Sequence, residues 1–340
     1  MSIKVGINGF GRIGRLAFRR CVEEGMEVVA INDLSDADNL AYLLKYDSGH
    51  GTFRKDDISF KENALVFAGR EIPIYAKRNP AEIPWSDHGV DVVLECTGIF
   101  KDTESAGVHI TNGGAKGVVI SAPAKKTPTY VYGVNCDKLT ADQKVISGAS
   151  CTTNCLAPMC KVLDDNFGII GGYMTTVHAY TNDQATLDII KKKDFRRGRA
   201  AAMNIVPTTT GAAKAIGLVM PKLNGRLQGG AIRVPVLDGS LVELNVRLSK
   251  KVTKDEIDAA MKKASEGELK DILGYTDEKI VSRDILGLTA GSLYDAVNTN
   301  VFEDEDGNQY VTVFGWYDNE YSYTCQLIRL AKKFAGLLGA

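Results

Sequence analysis

The sequence predicts an α/β chain. A doubly wound parallel sheet fills the first half, and an α+β domain with a mainly antiparallel sheet fills the second. Three observations carry this reading. Continuous apolar runs alternate with helix-like stretches up to about Ser150, the mark of strands buried on both faces in β-α-β order. Beyond Ser150 the runs give way to apolar/polar alternation and a hairpin signal. The length, 340 residues, suits two domains.

The parallel strands are expected at Ile3–Asn8, Glu27–Asn32, Val90–Thr97, Lys116–Ser121 and Val145–Ser147. Ile13–Glu24, with Ile13, Leu16, Ala17 and Val22 on one side, reads as the first helix. In the second half Gly172–Tyr180 reads as a strand, and Leu241–Leu248 partly alternates. Thr253-Lys-Asp-Glu256 is a capping box that opens a helix. Val301–Phe302 and Tyr310–Phe314 flank Asp306-Gly307, a hairpin turn. The tail from Tyr323 spaces Leu327, Ile328, Leu330, Ala331 and Phe334 as a helix does.

Charge and composition exclude some classes. Lys plus Arg number 41 and Asp plus Glu 42, so a generally basic nucleic-acid binder is not expected. No run approaches the length of a membrane span. The chain runs straight into a strand, with no signal peptide expected, and seven cysteines without one point to reduced thiols and a cytoplasmic location.

Ile3–Asn8 leads into Gly9-Phe-Gly11-Arg-Ile-Gly14, with a helix after it and Asp33 19 residues past Gly14. Gly9 permits the tight turn, Gly11 lets a pyrophosphate approach the backbone, and Gly14 lets the helix pack on the strand. A glycine turn serving packing alone is the competing reading, but the context favours a Rossmann-type dinucleotide site. Asp33 suits the ribose hydroxyls and repels a 2′-phosphate, so NAD is expected over NADP.

Ala149-Ser-Cys151-Thr-Thr-Asn-Cys155 follows a strand and precedes a helix, which puts Cys151 at a helix N-terminus, where the dipole favours thiolate. Cys155 falls one turn deeper. The C-x3-C-x4-C spacing without clustered histidine argues against a metal, and none is expected. Cys21, Cys96, Cys136, Cys160 and Cys325 read as core. Of four histidines, His50 and His88 fall in loops, His109 precedes Ile-Thr-Asn-Gly-Gly, and His178 closes a strand, where its ring can face a cleft.

These residues belong to a longer ordered set. Asn8-Gly-Phe-Gly-Arg-Ile-Gly-Arg15, Asn32-Asp33, Lys45-Tyr-Asp-Ser48, Ser121-Ala-Pro-Ala124, Ala149–Pro158, Thr176-Val-His-Ala-Tyr-Thr-Asn-Asp-Gln184, Pro207–Lys214, Arg233-Val-Pro235 and Trp316-Tyr-Asp-Asn-Glu320 follow one another along the chain. Together they closely resemble the phosphorylating glyceraldehyde-3-phosphate dehydrogenases. The resemblance implies oxidation of glyceraldehyde 3-phosphate with NAD and inorganic phosphate, in a homotetramer. It implies an NAD-binding domain of residues 1–150 plus 319–340 and a catalytic domain of 151–318. It makes Cys151 the nucleophile and His178 the base. Arg12 and Ile13 fall at the pyrophosphate, Asp33 at the adenosine ribose, Arg78 at the adenine, Ser121 beside the nicotinamide, and Asn319 at its carboxamide. Thr181 and Arg233 match the pocket for the substrate's phosphate. Ser150, Thr152, Thr210 and Gly211 match that for inorganic phosphate. A sibling enzyme acting on erythrose 4-phosphate shares Cys151 and His178 and is the alternative.

The segment from Gln184 to Gly198 departs from the usual pattern and is one residue longer. Its basic run, Lys191–Lys193 with Arg196, Arg197 and Arg199, reads as a solvated or interface loop with carboxylate partners rather than a nucleic-acid site. A low-pKa, exposed Cys151 is expected to be oxidised first.

Overall fold

A computed structural model describes residues 2–340. They divide into two compact units. The first takes the chain up to Tyr132, with Cys136–Ala149 and Thr324–Ala340; the second takes Gly133–Asn135 and Ser150–Tyr323.

The first unit is built on strands β1 (Lys4–Asn8), β2 (Glu27–Asn32), β3 (Ile58–Lys61), β4 (Ala64–Phe67), β5 (Arg70–Tyr75), β6 (Val92–Glu95), β7 (Gly117–Ile120) and β8 (Val145–Ser147). Their order is β3-β4-β5-β2-β1-β6-β7-β8. From β5 to β8 every pairing is parallel. The five apolar runs expected to be strands all are. β6 and β7 bury every residue, as strands covered on both faces must. Strand order reverses between β1 and β6, and a dinucleotide binds such a sheet beyond the carboxyl ends at this point.

Before Ser150 this unit has the α-helices α1 (Arg12–Glu23), α2 (Ala37–Lys45) and α3 (Thr103–Thr111). The reading of the sequence did not include β3, β4 and β5. Two-residue loops join them, Glu62-Asn63 and Ala68-Gly69, and the second places both central residues at positive φ, +48° and +78°. That turn suits Asn-Gly better than Ala-Gly, so its signal was weak.

The second unit begins with α4 (Cys151–Phe167) and continues through β9 (Ile169–Ala179), β10 (Val206–Thr209), α5 (Ala212–Val219), β11 (Leu227–Val234), β12 (Ser240–Leu248) and α6 (Lys254–Glu266). It ends with β13 (Leu273–Thr276), β14 (Ser292–Asp295), β15 (Asn300–Glu303) and β16 (Gln309–Tyr317). The sheet runs β10-β11-β9-β12-β16-β14-β13, with β15 on β16, and is mainly antiparallel, as the alternation suggested. Only β9/β11 and β13/β14 are parallel. Along β12, Val242, Leu244 and Val246 face inward at every second position and are buried. The capping box forms: Thr253 accepts from the Glu256 amide, and Glu256 from the Thr253 amide. The hairpin forms between β15 and β16. The last helix, α7 (Tyr321–Leu337), starts two residues earlier than the spacing suggested, and within the first unit Phe334 packs against Gly117 of β7.

Candidate active site

The second unit brings a thiol and an imidazole together at one end of its sheet. Cys151 is the first residue of α4, and His178 is the second-last residue of β9. Cys151 Sγ lies 3.6 Å from His178 Nε2. Ala149, at φ +59°, turns the chain into the helix through a left-handed backbone that costs a non-glycine residue energy. Ser150 caps α4: its Oγ accepts from the Thr153 amide at 3.1 Å.

The tautomer of His178 follows from its other nitrogen. Nδ1 lies 2.7 Å from the Ala179 carbonyl, which can only accept, so Nδ1 carries the hydrogen and Nε2 presents a lone pair to the thiol. Burial, aided by the nearby charges of Arg233 and Arg197, drives His178 down to about 3. The expectation of a thiol lowered by the helix N-terminus is corrected. Burial pushes Cys151 above its ordinary value, outweighing its Thr152 hydrogen bonds and the charge of Arg233. Burial thus disfavours the charged form of each group.

Tyr317, at the end of β16, is fully buried beside this pair, and the sequence reading gave it no role. Its hydroxyl lies 3.0 Å from Thr152 Oγ1 and 2.8 Å from Thr176 Oγ1, and its ring meets His178 edge to face at 5.8 Å. Thr176 also donates to the Leu241 carbonyl, so the cluster ties α4, β9, β12 and β16 together.

Cationic and hydroxyl-bearing side chains lie at the same end of the sheet. Arg233 on β11 stands in register with His178 on β9. Its Nη1 donates to the Ala179 carbonyl at 3.0 Å and to Thr181 Oγ1 at 3.2 Å. Its Nε is buried and has no partner among the described residues. Thr210 and Gly211 lead into α5, where Thr210 Oγ1 accepts from the Ala212 amide.

Arg197 belongs to the basic run. It donates through Nε to Thr208 Oγ1 at 3.0 Å and pairs with Asp183 and Asp194, and its charge reaches both His178 and Arg233. Two more members of the run have carboxylate partners of the kind expected, Lys191 on Asp183 and Arg199 on Asp188. The sequence carried no signal for Arg197, because Thr208 and Asp183 lie 11 and 14 residues away from it.

Asn319 is buried, and its orientation is set by Ser240, a residue the sequence reading passed over. Ser240 Oγ accepts from the Ala179 amide at 3.0 Å and donates to Asn319 Oδ1 at 2.6 Å, which leaves Asn319 Nδ2 as the donor turned elsewhere.

The first unit holds the glycine loop. Gly9 takes φ +90°, and a Cβ on Gly14 would lie 2.1 Å from the Gly9 carbonyl oxygen, so close packing requires both glycines. A Cβ on Gly11 would meet no atom within 4 Å, and no side chain caps α1 at Gly11. An open cradle over the first turn of a helix, at Arg12 and Ile13, fits a pyrophosphate. The Arg12 guanidinium itself turns to Asp47. Asp33 accepts from the Phe10 amide at 2.7 Å and the Ser35 amide at 3.0 Å, which aims the carboxylate just past β2. Arg78 is exposed, while Ser121 is half-buried beside Cys96. Cys96 is thus less buried than a core cysteine, whereas Cys21, Cys136, Cys155, Cys160 and Cys325 are all buried.

Residues 150–319 match the family described as glyceraldehyde 3-phosphate dehydrogenase, C-terminal domain, and residues 3–103 match its NAD binding domain. The chain is 56% identical over 335 residues to glyceraldehyde-3-phosphate dehydrogenase of Clostridium pasteurianum, covering 98% of each. It is 55% identical over 338 residues to that of Streptococcus pyogenes serotype M1, covering 98% of this chain and 99% of the relative. It is 54% identical over 331 residues to glyceraldehyde-3-phosphate dehydrogenase 1 of Bacillus cereus, covering 96% and 97%.

Proposed function

The chain belongs to the glyceraldehyde-3-phosphate dehydrogenase family, and from that premise we propose how its residues perform the reaction. It is an NAD-dependent oxidoreductase. It converts glyceraldehyde 3-phosphate and inorganic phosphate to 1,3-bisphosphoglycerate while NAD is reduced to NADH. We take Cys151 as nucleophile and His178 as base. The observation that carries this is the 3.6 Å approach of Cys151 Sγ to the lone pair of His178 Nε2.

As Cys151 Sγ bonds to the aldehyde carbon, its proton passes to His178 Nε2 and the carbonyl π pair moves to oxygen. His178 returns that proton to the oxygen, giving a thiohemiacetal. Its low proton affinity makes it a ready donor, and afterwards it is free to take the hydroxyl proton again as the carbon is oxidised. Bound NAD supplies the acceptor for the hydride that leaves this carbon. The product on Cys151 is a thioester. A phosphate oxygen then adds to its carbonyl, the C–S bond breaks with its electron pair on sulfur, and acyl phosphate departs. His178 holds a proton for the returning thiolate.

Thr181 and Arg233 hold the substrate's phosphate in this reading, supported by the buried, unpartnered Nε of Arg233. Ser150, Thr152, Thr210 and Gly211 receive inorganic phosphate, with Arg197 adding charge. The first unit, with the tail from Thr324, is the NAD-binding domain, and the second is catalytic. NAD is held by Gly9, Gly11 and Gly14, by the amides of Arg12 and Ile13, and by Asp33, Arg78, Ser121 and Asn319.

We further assign a homotetramer, supported by large apolar side chains left exposed on one segment, among them Ile190, Phe195 and Met203. The cytoplasm is the assigned location, supported by seven free thiols. No helix among the described residues is long and apolar enough to cross a membrane. The direct test replaces Cys151 by serine. Cys151→Ser is expected to abolish NADH formation from glyceraldehyde 3-phosphate, NAD and phosphate; a near-native rate contradicts the assignment.

A further inference from the structure

Beneath the glycine loop the first unit buries a carboxylate that no step above uses. Glu95, the last residue of β6, is 1% exposed. Its Oε2 accepts from Asn8 Nδ2 at 2.5 Å and lies 3.0 Å from His109 Nε2. Its Oε1 accepts from the Thr97 amide at 2.9 Å and from the Thr97 hydroxyl. His109 Nδ1 accepts from the indole of Trp85 at 3.0 Å; indole can only donate, so the imidazole hydrogen sits on Nε2 and points at Glu95. Four donors thus converge on one side chain. A carboxylate satisfies them all, and an amide cannot.

The bonds run on to the crevice. Asn8 ends β1, one residue before Gly9, and Asn8 Oδ1 accepts from Asn32 Nδ2 at 2.7 Å at the end of β2. Asn32 in turn pairs with both the amide (2.9 Å) and the carbonyl (3.0 Å) of Lys77, the neighbour of Arg78. Thr97 Oγ1 accepts from the Ile99 amide at 3.1 Å, which fixes the loop after β6, and a Cβ on Gly9 would lie 2.8 Å from the Thr97 nitrogen. One carboxylate therefore locks, together, the chain leaving β1, β2 and β6 and the loop that carries Arg78.

We propose that Glu95 is the positioning residue of the NAD crevice, acting through Asn8 and Thr97 without touching the dinucleotide. This rests on the reading that the glycine loop holds NAD. The test measures NAD affinity by calorimetry alongside steady-state kinetics. Glu95→Gln sets an amide donor against those of Asn8 and His109, and raises the NAD Kd about tenfold or more. Asn8→Asp opposes two carboxylates and does the same. The double variant, Glu95→Gln with Asn8→Asp, restores the pattern with the two groups exchanged. The amide at position 95 donates to the carboxylate at position 8 and still accepts from Thr97. That carboxylate still accepts from Asn32, and it receives the imidazole hydrogen of His109, whose Nε2 lies 3.4 Å from the Asn8 nitrogen in the native chain. The double variant is expected to return to within about threefold of the native Kd.

In each single variant KM for NAD rises while kcat at saturating NAD and KM for the aldehyde stay put. A merely structural role lowers the active fraction and leaves the Kd of the rest native. Native Kd in both single variants, or losses that add in the double variant, overturns the proposal. Should the single variants not fold, Thr97→Val removes one hydroxyl donor: a Kd raised about threefold supports the proposal, and a native Kd overturns it. Gly11→Ala is the control. If it too binds NAD normally, the crevice reading fails and takes this inference with it. If it alone loses affinity, the Glu95 assignment fails by itself.

Discussion

At the scale of the residue, burial works on the proposed nucleophile and its base in the free protein. Burial raises Cys151 above its ordinary value and lowers His178 to about 3, so it works against the charged form of each. The sign is testable. A raised thiol pKa means that alkylation of Cys151 by iodoacetamide, without NAD, climbs by about tenfold per pH unit from pH 7 to beyond 9. A plateau below pH 8 would show a depressed thiol instead. The sequence displayed Cys151 and His178 because each sits in a dense local motif at an element's end. It did not display the contacts of Tyr317, Ser240, Arg197 or Glu95. Tyr317 reaches Thr152 across 165 positions, Ser240 reaches Asn319 across 79, and Asn8 reaches Glu95 across 87, so only the folded chain brings these partners together.

At the scale of the element, the glycine loop and α1 form the part most fully legible beforehand. Strand, turn and helix each left a local signature, and each glycine has a distinct geometric reason. Those reasons separate two variants. Gly14→Ala sets a Cβ 2.1 Å from the Gly9 carbonyl, so the fold itself must shift, and both melting temperature and NAD affinity fall. Gly11→Ala meets no protein atom, so the melting temperature holds or rises slightly while NAD affinity drops about tenfold or more, read by thermal unfolding and calorimetry. Equal affinity for NAD in native and Gly11→Ala protein contradicts a pyrophosphate at that spot. The strands β3 to β5 were hidden for the opposite reason. Runs of four to six residues joined by Glu62-Asn63 and Ala68-Gly69 carry little periodicity and no strong turn dipeptide.

At the scale of the whole molecule, a net charge of −1 means that the proposed anion binding rests on local groups: the first turn of α1, Arg233, Arg197 and the threonines around Cys151. The change of pattern near Ser150 was readable because parallel and antiparallel sheets bury their strands differently. The 184–198 segment was readable only as basic. Its apolar side chains stay exposed in the single chain, with Ile190 at 88% and Phe195 at 79%. Light scattering is expected to give the mass of four chains, and Ile190→Asp with Phe195→Asp to lower it; a native monomer contradicts the tetramer.

In the proposed reaction Cys151 carries the substrate as a thioester until phosphate removes it. Mixing the enzyme with glyceraldehyde 3-phosphate and NAD without phosphate should give a burst of about one NADH per chain, with the 3-phosphoglyceryl group on Cys151 by mass spectrometry. Added phosphate should discharge it as acyl phosphate. Sustained turnover without phosphate, or an adduct on another residue, would contradict the account.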